Sequence, residues 1–202
     1  MTAGAQGAGS EGESVPGWDP VVVAPVADGD ESRGLLADGT VMSLRALGEG
    51  DVAAVVGLYR ALPERDLYLR FDTARPREVE ALVRRAVDGA TGAISVGAFV
   101  ADDLVGVAHL LPIATAGGEV AVAVAHRWQA RGVATLLLHL LVTLARRAGV
   151  ESLDAEVLTQ NVRMLQVFTD LGLPVEVHRD GHDAQVRISL RQDVPGGGPG
   201  TP

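Results

Sequence analysis

The chain has 202 residues, 47% of them hydrophobic, and carries a formal net charge of -9 at pH 7. That is enough apolar material for one buried core in a single domain with tails, and the acidic balance opposes nonspecific nucleic-acid binding while favouring a neutral or cationic partner. There is no cysteine, and every one of the 17 basic residues is arginine; disulfides, thiolate zinc sites, a cysteine nucleophile, a Walker-type phosphate lysine and any Schiff-base chemistry are therefore excluded.

No N-terminal stretch joins a charged segment to an apolar one, and the longest apolar run, near Val133 to Ala145, is interrupted by His139 and Thr143. Neither a secretory signal nor a membrane contact is expected, and the expected location is cytoplasmic. Residues 1–32 are rich in Gly, Ala, Ser, Pro and acids without sustained periodicity and read as a disordered arm. Within it "PVVVAP" is a weak edge-strand candidate because prolines flank it. Residues 192–202 read as a flexible Gly/Pro tail, which leaves 33–191 as the folded domain.

In that domain "GLLADGTVMSLRAL" predicts a hairpin about Asp38-Gly39, a pair that supplies the positive φ angles of a tight turn. "GEGDVAAVVGLYRAL" and "RPREVEALVRRAVDG" carry apolar residues at helical spacing. "ISVGAFVADDLVGVAHLLPI" predicts two strands about an acidic turn, and "EVAVAVAH" a third. A helix over 133–148 ends at Gly149, "SLDAEVL" is a strand, "NVRMLQVFTDLG" a helix closing at Gly172, and "PVEVHRDGHDAQVRISL" a final hairpin about Asp180-Gly181. The order ββααβββαβαββ mixes hairpins with one crossover, so an α/β (α+β) class is expected, with a mixed central sheet flanked by helices.

The joint between the third of these strands and the long helix reads "QARGVA", Gln129 to Ala134. Gly132 lets the backbone turn tightly and approach a ligand, while the first N–H groups of the helix lack partners and carry partial positive charge, an arrangement that suits a pyrophosphate. A Rossmann fingerprint is a poorer fit, because one of its three glycines is present and no acidic residue follows at the usual distance.

The segment from Glu119 to Gly172 resembles the core of the GNAT superfamily of acetyl-CoA-dependent N-acetyltransferases, whose loop follows [Q/R]-x-x-G-x-[G/A] at the start of a long helix. Gln129, Gly132 and Ala134 fill its defined places. "NVRMLQVFTDLGL" resembles the superfamily's later helix. "LPERDLYLRF", Leu62 to Phe71, looks like the loop between the first two helices of bacterial Pat-type protein acetyltransferases.

The resemblance implies a GNAT fold, acetyl-CoA as cosubstrate, no metal, and transfer of the acetyl group to a primary amine. A protein lysine is the acceptor through the Pat-type likeness; a small cationic amine, or a noncatalytic CoA-binding regulatory role, is the alternative. It further implies a strand bulge that frees a donor for the thioester oxyanion among Val122, Ala123 and Val124, with the pantetheine arm alongside. Ala130, Arg131, Gly132, Val133, Ala134 and Thr135 complete the cofactor loop, and Asn161 either meets the pantetheine or caps its helix.

An ammonium with a pKa near 10.4 must lose a proton, at a cost of roughly 4–5 kcal/mol at pH 7, before it attacks a thioester. Glu119, set among Val and Ala, is the expected base, partial burial making it a better acceptor, directly or through water. Many GNAT enzymes place a Tyr acid where Phe168 stands, and Phe168 has no proton to give; Tyr68 is placed as its substitute or as a substrate-binding residue. "HRDGHD" holds metal-ligand types, but Asp-Gly has a geometric reason in a hairpin turn, and "GAISVG" lacks the hydrolase G-x-S-x-G spacing.

Overall fold

A computed structural model describes residues 23–25, 31–71, 79–87, 89, 91–113 and 116–191. Strands β1 (Val23–Pro25), β2 (Glu31–Leu35) and β3 (Val41–Ala46) lead into helices α1 (Val52–Ala61), α2 (Glu64–Phe71) and α3 (Val79–Val87). Next come β4 (Ile94–Val100), β5 (Asp103–Ile113), β6 (Gly117–Val124), α4 (Val133–Arg147), β7 (Ser152–Leu158), α5 (Val162–Thr169), β8 (Val175–Asp180) and β9 (Asp183–Ser189). The strands form one sheet in the order β1-β2-β3-β4-β5-β6-β7-β9-β8. Among the described strands only β6 and β7 run parallel, and α4 supplies the crossover that a parallel pair requires.

Two elements depart from the sequence reading. β1 falls inside the segment expected to be a disordered arm. It pairs antiparallel with β2, Val23 against Gly34 and Pro25 against Ser32, and proline is tolerated there because β1 is an edge strand. The sheet thus starts before residue 33; residues 1–22, 26–30 and 192–202 lie outside the described residues. The second departure is α2, where a loop was expected. Pro63 sits just before it and its carbonyl accepts the N–H groups of Asp66 and Leu67, while Glu64 and Asp66 place negative charge in the first turn.

The period-two alternation of the central strands sorts side chains onto two cores. Val96, Ala98, Ala108, Leu110 and Val120 face α4 and α5, joined by Leu136, Leu137, Leu141 and Phe168. Phe99, Val107 and Ala123 face the opposite way and pack with Val55, Tyr59 and Val83 of α1 and α3. β4 and β5 are covered on both faces, which is why their sequences read as nearly unbroken apolar runs. A polar link crosses the second core. Ser95 Oγ donates to the Ala86 carbonyl at 2.6 Å, and with its single hydrogen spent it accepts from His109 Nδ1 at 2.7 Å.

β6 and β7 pair over only Gly117, Gly118 and Glu119 against Ser152, Leu153 and Asp154. A Cβ added at Gly118 would overlap Leu110 Cδ1 and stand 2.8 Å from Leu110 Cγ, so the strand origin is packed too tightly for any side chain. Gly118→Ala is expected to cost about 1–3 kcal/mol through overpacking, read as a lower urea midpoint at an unchanged m value.

Candidate active site

Beyond Glu119 the two strands separate, and the gap opens into a cleft with a cavity volume of about 670 Å³. Val120 to Val124 of β6 form one wall, Ala155 to Val157 of β7 the other, and the loop before α4 and the start of α5 close its sides. Ala125 N–H donates to Val105 O at 2.8 Å. By alternation the N–H groups of Ala123 and Ala121 also face β5, whereas those of Val122 and Val124, past the last β7 pair, face the gap. The expected bulge in β6 is not there: its register with β5 runs unbroken from Val124 to Gly117, and the nearest irregularity is at Ala98/Phe99 of β4. Divergence of β7 frees the donors instead, and of the three residues expected to serve, Ala123 turns its N–H away.

The loop from Trp128 to Thr135 gathers a second set of donors. Ala130 has φ 56 and Gly132 has φ 93, so two left-handed residues flank Arg131 and fold successive N–H groups into a concave nest. Leu136 N bonds Gly132 O at 3.1 Å, the first bond of α4, which leaves Val133, Ala134 and Thr135 with the unpaired N–H groups of a helix start. These groups, together with about half a positive charge from the helix dipole, form an anion site at the cleft mouth.

Several side chains expected to hold the cofactor are committed elsewhere. Gln129 Nε2 donates to Val124 O at 3.1 Å and to Asp66 Oδ2 at 2.8 Å, and its backbone N–H donates to His126 O, so Gln129 braces the loop from within. Arg131 pairs with Asp38 at 3.0 Å and lies over the Trp128 ring, 5.1 Å from its centroid, and its side chain does not line the cleft. Asn161 lines the cleft and caps α5, its Oδ1 accepting Met164 N–H at 3.3 Å. Glu119 corrects the expectation of partial burial: it is exposed, outside the cleft lining, at the last residue pair before the strands part. Tyr68 is 40% exposed and does not line the cleft.

The sequence reading missed Arg65 of α2 and Arg163 of α5, the cationic side chains that do line the cleft, and the Asp66 and His126 pair at its rim. Arg65 and Asp66 lie in the quoted "LPERDLYLRF" stretch, but their roles depend on α2 being a helix. Phe168, 2% exposed, contributes an aromatic wall.

Residues 59–173 match the acetyltransferase (GNAT) family, more than half of the chain and a span that contains every residue lining the cleft. Among solved structures, the GNAT domain of S. lividans PAT is similar with a TM-score of 0.71 at 24% identity, over 79% of this chain and 96% of that one. The cAMP-binding acyltransferase from Mycobacterium smegmatis gives 0.55 at 20% identity, over 86% of this chain and 50% of that one, so the present chain spans about half its length. The PaiA N-acetyltransferase from Thermoplasma acidophilum, solved in complex with coenzyme A, gives 0.55 at 16% identity, over 73% and 98%. The chain belongs to the acetyltransferase (GNAT) family.

The cleft fits an acyl-CoA on its own evidence. Trp128 Nε1 is buried without a hydrogen-bond partner among the described residues, at a ring that lines the cleft, and such a donor calls for a ligand or water. The edge of β6 offers strand-like pairing to an amide-containing arm, and the nest offers N–H groups to phosphates. Gly132→Ala would hold a side chain at φ 93, a strain of about 1–2 kcal/mol. Calorimetry with coenzyme A is expected to show at least about tenfold weaker binding.

Proposed function

We propose that this protein transfers an acetyl group from acetyl-CoA to a primary amine, with a protein lysine as the acceptor. The observation that carries the reading is the parting of β6 from β7 beside the N-terminus of α4, which sets unpaired strand N–H groups and a helix-start nest along one cleft. The backbone of β6 aligns the pantetheine arm, the N–H groups from Ala130 to Thr135 hold the diphosphate, and Val122 N–H is the donor placed for the thioester oxygen. The amine nitrogen attacks the carbonyl carbon, the C–S bond breaks, and the thiolate takes its proton from solvent. Likeness to the S. lividans PAT domain and the resemblance of "LPERDLYLRF" to the Pat-type loop support lysine over a small amine, as does the acidic balance of the chain.

Glu119 is the proposed base. Its exposed position at the inner end of the gap, on the face of β6 shared with Ala121 and Ala123, places the carboxylate on the side covered by the first helices. That is where an acceptor enters if the cofactor fills the gap, and a water bridges the carboxylate to the amine. The test uses purified protein, acetyl-CoA, lysine peptides and spermidine, with free thiol as the readout. Amine-dependent thiol release is expected. Coenzyme A binding with no release from any acceptor would overturn the reading in favour of a binding module. Glu119→Gln is expected to lower kcat by about 10²–10⁴ while leaving coenzyme A affinity intact; unchanged kcat across pH removes Glu119 from this role.

A further inference from the structure

Asp66 stands at an unusual junction. It belongs to α2, yet its Oδ2 accepts from Gln129 Nε2 at 2.8 Å and meets His126 Nδ1 at 3.2 Å, both in the loop that builds the cofactor site. Its side chain is only 12% exposed, whereas His126 is 70% exposed, so the Gln129 bond is the sheltered one. The other Gln129 amide hydrogen goes to Val124 O, the last carbonyl on the open edge of β6. One amide thus links helix, loop and strand edge. α2 packs on both β6 and β7, bridging the gap, and Leu62 and Arg65 near it line the cleft. Leu67 of this helix is only partly buried against the second core.

We propose that Asp66 is a positioning residue: it clasps α2 to the cofactor loop through Gln129, so that ordering the loop around coenzyme A also fixes the acceptor-side wall of the cleft. A carboxylate suits this task because charge-assisted bonds are stronger than neutral ones and one oxygen serves two donors. The inference rests on the cofactor reading above. It adds that the two halves of the site are mechanically one.

Hydrogen exchange followed by mass spectrometry tests it on the full chain, with and without coenzyme A. In the native protein the ligand is expected to slow exchange both in 126–135 and in α2. In Asp66→Ala, α2 is expected to exchange at least about tenfold faster without ligand, and coenzyme A then protects the loop alone. Asp66→Asn, which keeps an acceptor oxygen for Gln129, should restore much of the protection, and Gln129→Met should loosen α2 as Asp66→Ala does. Exchange in α2 within about twofold of native for Asp66→Ala, or acceleration spread evenly through β4 and β5, overturns the clasp. Absence of any coenzyme A effect on the native protein defeats the cofactor reading instead, and the ligand-free comparison still decides the clasp.

Discussion

After three residue pairs β6 and β7 let go of each other, and the site follows from that separation. Unpaired backbone N–H and C=O groups inside a sheet are costly unless water or a ligand serves them. Here the gap keeps the N–H groups of Val122 and Val124 turned toward open space, with the Val124 carbonyl already taken by Gln129. Such an edge is a template for another extended, amide-bearing chain. A glycine pair at the origin brings the strands close, and α4, the obligatory crossover between parallel neighbours, delivers its N-terminus to the open end. Crossover topology and anion site are one requirement met once.

This arrangement also resolves a conflict of charge. A chain at -9 repels a polyanion at long range, so binding must come from groups that act at contact. Backbone N–H groups in a nest are such groups, because they are fixed, dense and directed, and their partial charges add to the helix dipole. Arg131 is not needed as a phosphate ligand for this purpose. Its guanidinium instead pins the loop to the β2–β3 turn through Asp38 and stacks on Trp128, which holds the nest in shape.

Periodicity carried most of the fold. The alternating and helical patterns placed β2 through β9 and α1, α3, α4 and α5 close to their observed bounds, because each element buries one face or two against a single sheet. β1 was obscured by prolines, whose edge position depends on which strand lies beside it, a fact of tertiary pairing. α2 was obscured because its composition is polar, with Glu64, Arg65 and Asp66 at its start, and it is held over the gap by bonds to residues about 60 positions away, such as Gln129 and His126. The loop motif marked where the backbone turns, at Gly132 with φ 93, and left the partners of its side chains open for the same reason. Sequence spacing reports where a backbone turns, whereas the destinations of Gln129 and Arg131 were decided by Asp66 and Asp38, which spacing does not bring near.

Magnitudes explain how the proposed reaction proceeds with Phe168 in place of an acid. At pH 7 an amine with a pKa near 10.4 must be deprotonated at a cost of roughly 4–5 kcal/mol, whereas a thiolate whose acid has a pKa near 8.5 lies only about 2 kcal/mol above its thiol. The proton that matters is the one removed from the attacking nitrogen. A phenol at position 168 would ease the smaller of the two burdens, and its hydroxyl would need a partner at a site 2% exposed within the larger core. Phenylalanine keeps that wall apolar, and solvent at the cleft mouth suffices to quench the leaving group. The chemical demand of the proposed reaction therefore falls on a base for the amine and on the donors of β6, and the parting of the strands exposes the latter.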